Sequence, residues 1–208
     1  MTISRYCRAL AGTALMLVAG CAANIMQTKE TRFYVLATLP QDTEALPGVR
    51  TSPALVLDLA ALTLPQYLER PQIVTRIERN RLVLAEFDNW GGSLEKNMLR
   101  VLASNLSMLL ATPDIHMATR RTPAKVDARV EIEVIQFERG PDRRAVLMAQ
   151  WRLLEAGRER KTIVSKVTSL QSPPMAAPSM TATVAAMSDL AGELSVLIAR
   201  AVIRHSNH

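Results

Sequence analysis

Arg129-Val-Glu-Ile-Glu-Val-Ile-Gln-Phe137 alternates apolar Val130, Ile132 and Val134 with charged Arg129, Glu131 and Glu133. A period of two marks a strand with one buried and one wet face. The apolar parity then switches to Ile135 and Phe137. One extra residue in a strand moves every later side chain to the opposite face, so the switch predicts a bulge near Ile135. Gly140-Pro-Asp142 supplies turn chemistry, after which Ala145 to Leu153 puts Leu147, Ala149, Trp151 and Leu153 on one face. Gly157 turns the chain again and Thr162 to Leu170 reads as a third strand, so this half of the chain is a meander.

Working outward, Pro173, Pro174 and Pro178 lead into a helix expected from about Ser179 to His205. Its Met180, Val184, Met187, Ala191, Leu194, Ile198 and Ala201 recur at alternating spacings of four and three. That stripe suits a helix packed on a sheet, or a coiled-coil seam to another chain; the core helix is the reading taken. Upstream, Gln72 to Ile77 and Arg81 to Glu86 read as a hairpin closed at Glu78-Arg79-Asn80. Ser93 is a credible N-cap for a helix reaching about Leu110, because Leu94, Met98, Val101, Leu102, Leu106 and Leu109 share one face. Arg32 to Ala37 and Pro53 to Ala61 read as two further strands, the second with Leu55, Leu57, Leu59 and Ala61 on one side. Strands followed by segregated helices define an α+β fold, a mixed or antiparallel sheet packed against two main helices in a single domain over 32–208.

The N-terminus has a different character. Arg5 and Arg8 precede an apolar run from Ala9 to Ala19, the outline of a secretion signal. Eleven residues span about 16 Å as a helix, roughly half of a bilayer core, so the run is too short to cross a membrane. It ends in Leu17-Val18-Ala19-Gly20-Cys21, which resembles the lipobox read by bacterial lipoprotein enzymes. The expected organisation is a signal peptide over 1–20, a lipidated tether over 21–31 and a periplasmic domain over 32–208. The anchor is the Cys21 thiol, and more than one acyl chain is needed for stable attachment. Ala22 rather than aspartate follows it, which by resemblance to enteric sorting rules implies the periplasmic face of the outer membrane.

Composition narrows the function. The whole chain carries 25 basic and 19 acidic residues; without Arg5 and Arg8 the balance is +4. Those charges are scattered, as in Arg76-Ile-Glu78-Arg79-Asn-Arg81, so the pattern is a solvated surface and no nucleic-acid partner is expected. With Cys7 in the signal and Cys21 acylated, no disulfide is available, and stability has to come from a core. His116, His205 and His208 lack partners at metal-site spacing, so no metal or other cofactor is expected. Trp90-Gly91-Gly92-Ser93 opens a helix without a phosphate-loop frame, and Glu86 and Asp88 sit two apart in a strand. No base, acid or nucleophile can be assigned, and no enzyme is expected.

A more specific pattern runs through the middle. Thr63-Leu-Pro-Gln-Tyr-Leu-Glu-Arg-Pro-Gln-Ile-Val74, then Leu82, Phe87-Asp-Asn-Trp90, Ser93-Leu94 and Arg100-Val-Leu-Ala-Ser-Asn-Leu106, resembles the ABC-type transport auxiliary lipoproteins of PqiC type. Gly91-Gly92 departs from that pattern, where a more helix-favouring pair is expected. The resemblance implies a lipoprotein component of an envelope-spanning lipid transport system. Its partners would be a mammalian cell entry (MCE) domain protein and an associated inner-membrane transporter, with further copies of itself as another possibility. The second reading, an adaptor that binds a peptide or another envelope assembly, has only the anchor and the α+β pattern behind it.

Pro65 and Pro71 bracket Gln66 to Arg70 and force extended residues before each proline, so the segment is a rigid corner. Tyr67 and Leu68 either close the core beneath it or present a tip to a partner. Trp90 either staples the start of the helix or anchors an interface. Tyr67, Arg70 and Trp90 are residue types enriched at hot spots and form the expected partner-binding set.

Overall fold

The computed structural model describes residues 29–49, 55–117, 126–157 and 160–206. Its centre is the meander: β6 (Ala128–Arg139), β7 (Ala145–Glu155) and β8 (Thr162–Gln171) pair antiparallel in sequence order. Val130 faces Leu153, Ile132 faces Trp151 and Val134 faces Ala149, all buried. The register shifts between Val134 and Gln136, leaving Ile135 as the extra residue, and resumes with Gln136 opposite Met148 and Phe137 opposite Leu147. The parity switch in the sequence is this bulge.

The bulge lies where the sheet forks. Along the other edge of β6, β2 (Leu57–Thr63) pairs in parallel from Leu57 opposite Ala128 to Thr63 opposite Glu133. Beyond the bulge that edge is taken by β3 (Gln72–Glu78), also parallel, with Thr75 opposite Arg139. β3 forms the expected hairpin with β4 (Arg81–Trp90), β1 (Arg32–Tyr34) adds in parallel outside β4, and β5 (Ile115–Met117) adds in parallel outside β2. The result is one mixed sheet of eight strands.

Helices α1 (Leu94–Leu109) and α2 (Met180–Ser206) pack on each other and on the sheet. Ser93 caps α1, its Oγ accepting from the Lys96 amide at 3.3 Å. The α2 stripe is spent inside the fold: Val184, Met187, Ala191, Leu194, Ile198 and Ala201 are all buried, against the sheet and α1 rather than at a seam to another chain. α2 is long and apolar enough to cross a membrane by length and composition, but 61% of its apolar window is buried in the fold, as befits a core helix.

Three expectations change in detail. The first strand stops at Tyr34 rather than Ala37 because helix side chains take the backbone donors that would continue it. The Leu36 amide donates to Asn97 Oδ1 at 2.7 Å, the Ala37 amide to Ser188 Oγ at 3.0 Å and the Leu39 amide to Asn105 Oδ1 at 2.9 Å. β2 begins at Leu57, and a register shift between Leu59 and Ala61 exposes Ala61 and buries Leu62 instead; Pro53 and Ala54 lie outside the described residues. β4 runs on to Trp90 because β1 supplies a partner for Asp88 to Trp90. Strand β5 is too short to leave a periodic signal in the sequence.

Candidate functional site

Both β2 and β3 run parallel to β6 on the same edge, so the chain between them must leave the sheet and return further along it. The proline-bracketed corner makes that step. Pro65 is extended, at φ −66° and ψ 144°, and caps a single 3₁₀ turn over Gln66–Leu68. The Leu68 amide donates to the Pro65 carbonyl at 2.9 Å, and the Trp90 amide donates to the Pro71 carbonyl at 2.7 Å, tying the far end of the corner to β4. Leu64 and Leu68 point into the core.

Tyr67 lies over β6 and donates its hydroxyl to Glu138 Oε2 at 2.7 Å. Glu138 follows the bulge on the strand face opposite Phe137, yet its side chain has no exposed surface. It accepts from Arg76 Nε at 2.8 Å, Gln136 Nε2 at 3.0 Å and the Phe137 amide at 3.1 Å as well. A buried carboxylate persists only when its lone pairs are filled, and here every partner is a donor. Burial first, then the hydrogen bond to Glu138 and its charge, push the Tyr67 phenol well above the usual tyrosine range. For Arg76, burial works against the charge, but the bond to Glu138 and its negative charge prevail and raise its pKa.

The structure separates the three expected partner-binding residues. Arg70 is exposed on the corner. Trp90 is only 5% exposed and packs with the core beneath the start of α1. Tyr67 is half-buried with its hydroxyl committed to Glu138. Arg70 and Trp90 do line one groove, of about 490 Å³, with Leu68, Pro71 and Leu94. The Gly91-Gly92 pair has a local cause: a Cβ on Gly91 would come 3.2 Å from Val35 Cγ1, and Gly92 adopts φ +147°. A side chain at 91 would press on Val35, and one at 92 would strain the backbone.

Glu86 and Asp88 form no acid–base pair: Glu86 is exposed, whereas Asp88 is buried and bound by Arg32 at 2.7 Å and by the Tyr34 hydroxyl at 3.0 Å. No group of three or more His, Cys, Asp or Glu side chains suited to a metal ion occurs among the described residues. Cys21 lies outside the described residues. Glu138 is the residue that sequence reasoning missed. Its only trace is the parity switch at Ile135, which turns Gln136 and Glu138 to the face that the corner covers.

This architecture recurs in solved structures. Protein XCC0632 from Xanthomonas campestris, assigned to DUF330, superposes with a TM-score of 0.69 at 11% identity, covering 85% of this chain and 98% of that one. A second crystal structure, of an uncharacterized protein, gives 0.66 at 18% identity over 84% and 99%. At such identities the likeness establishes the fold alone. No curated protein matches the chain. The sequence pattern of the ABC-type transport auxiliary lipoprotein component matches residues 34–199, and the chain belongs to that family. It is therefore an auxiliary lipoprotein of a transport system, membrane-anchored in the cell envelope.

Proposed function

We propose that the protein is a non-catalytic auxiliary component of an ABC/MCE-type intermembrane lipid transport system, lipidated on Cys21 once residues 1–20 are removed and held on the periplasmic face of the outer membrane. Residues 21–31 serve as the tether, and the partner is an MCE-domain protein with its inner-membrane transporter. The observation that carries this reading is the family match across residues 34–199. A component without catalytic groups acts through its surface, and the corner supports docking there. Its backbone is fixed before any partner arrives, so little ordering entropy is lost on binding. Arg70 and the groove beside it form the contact surface, and Tyr67 and Trp90 hold its shape.

The test is copurification of the intact lipoprotein from native membranes. The expected result is co-isolation with an MCE-domain protein, retained in wild type and lost in Arg70→Ala. Isolation with an unrelated envelope assembly would replace this reading. Cys21→Ala should leave the domain folded but release it from membranes, and firm membrane retention of that variant would refute the anchor. Density with inner-membrane vesicles would refute the outer-membrane placement.

A further inference from the structure

Strand β1 is built inside out for an edge in water. Arg32 and Tyr34 spend their polar atoms on Asp88 of the neighbouring strand, through the 2.7 Å ion pair and the 3.0 Å hydroxyl bond. Phe33 in the strand and Val35 just past its end are turned outward and are 68% and 59% exposed. Two residues apart on an extended chain, they project on the same side about 7 Å from each other. Soluble proteins guard an edge by facing free charge outward; here Arg32, although 57% exposed, is paired with Asp88, and an aromatic and a β-branched side chain face out beside it. Val35 rests beside Gly91, where an added Cβ would come 3.2 Å from its Cγ1. The exposed Arg100 lines the same cleft as Val35.

We infer that β1 and the residue after it rest on the phospholipid surface to which the chain is anchored, with Phe33 and Val35 inserted at the headgroup boundary. The inference rests on the reading of Cys21 as the lipidated residue. Phe33 is twelve positions after Cys21, so the chain reaches no farther than about 43 Å between them even at full extension. No other exposed apolar residue among those described is so close to Cys21 in sequence; Ile77, Val83, Leu84, Ile135 and Val167 all come later in the chain. Two side chains would bind a free protein too weakly to matter. On a chain already held by acyl groups, their insertion becomes an intramolecular step with a high effective concentration. Apolar side chains buried at the boundary, with a nearby guanidinium among the phosphates, are the arrangement by which interfacial elements bind. Because Trp90, Gly92 and Leu94 line both the Val35 cleft and the Arg70 groove, the docking groove would then open close to the bilayer surface.

Full-length lipidated protein carrying a nitroxide at Phe33→Cys, or at Val167→Cys as control, is reconstituted in vesicles of phosphatidylethanolamine and phosphatidylglycerol. Collision rates with oxygen, which concentrates in lipid, and with a water-soluble nickel chelate are then compared. Both sites are exposed, so neither substitution disturbs the core. The expected result is an oxygen-to-nickel ratio several-fold higher at 33 than at 167. Protein that floats with the vesicles but shows equal ratios overturns the inference alone. Protection of position 33 from both reagents also overturns it, assigning the strand to a protein contact, with dipolar broadening identifying a second copy. Protein that does not float overturns lipidation at Cys21 and this inference with it.

Discussion

Replacing Glu138 by glutamine keeps the shape of the side chain and removes most of its capacity to accept. All four of its partners are donors: the Tyr67 hydroxyl, Arg76 Nε, Gln136 Nε2 and the Phe137 amide. A glutamine amide offers one acceptor oxygen and adds two donors, so at least two of these groups lose their partner inside the fold. Removing one member of a buried ion pair costs about 3–5 kcal/mol. Arg76 retains 23% of its side-chain surface in water and recovers part of its hydration, which places the loss near the lower end, about 3 kcal/mol. In a domain of this size that is a fall in Tm of about 6–12 °C. Denaturant unfolding of wild type, Glu138→Gln, Tyr67→Phe and the double variant closes a cycle. A coupling above about 1 kcal/mol is expected, because the two groups share one hydrogen bond. A loss below 1 kcal/mol for Glu138→Gln, or full additivity with Tyr67→Phe, would refute the claim that the corner is clamped through this carboxylate.

Trp90→Ala should cost about 3–5 kcal/mol by thermal or denaturant unfolding, as a truncated core indole does, whereas Arg70→Ala should stay within about 0.5 kcal/mol and lose partner capture. Tyr67, whose folded pKa is raised, contributes stability that is complete below its unfolded pKa of about 10 and declines as pH rises beyond it. Unfolding measured from pH 8 to 11 should therefore show an alkaline decline that Tyr67→Phe flattens. Asn105→Leu leaves the Leu39 amide and Ser195 Oγ without their partner between the helices, and should lower stability by about 2 kcal/mol in equilibrium unfolding.

What the sequence made legible was whatever repeats. The meander, its bulge at Ile135 and both helices rest on apolar periods of two or of three and four, and they recur at the expected residues because the core demands that spacing. The boundaries of β1 and β2 were not legible for a physical reason. Leu36 to Leu39 has the composition of a strand, yet its amides are claimed by Asn97, Ser188 and Asn105, polar residues scattered through the helices whose targets lie about 60 to 150 positions away. Single-sequence periodicity carries no information about such long-range acceptors. The shift after Leu59 is hidden for a related reason: Leu57-Asp-Leu-Ala-Ala-Leu-Thr63 is apolar enough that either register of its second half looks plausible until β6 selects one.

The corner shows the same limit at the candidate site. Pro65 and Pro71 announce rigidity, but they do not reveal which side chains the rigid turn spends inward. Tyrosine and tryptophan are enriched both at interfaces and at the edges of cores, so residue type alone cannot divide Tyr67 and Trp90 from Arg70. The fork in the sheet decides it. Because β2 and β3 share one edge of β6, the turn between them must cross over the strand just past its bulge, where Glu138 lies on the face opposite Phe137. A carboxylate there needs a lid with a donor, and Tyr67 supplies one, with Arg76 from β3 closing the other side. The residues that make the corner rigid are thus consumed in making it so, and what remains free to meet a partner is Arg70 and the groove that Trp90 supports from below.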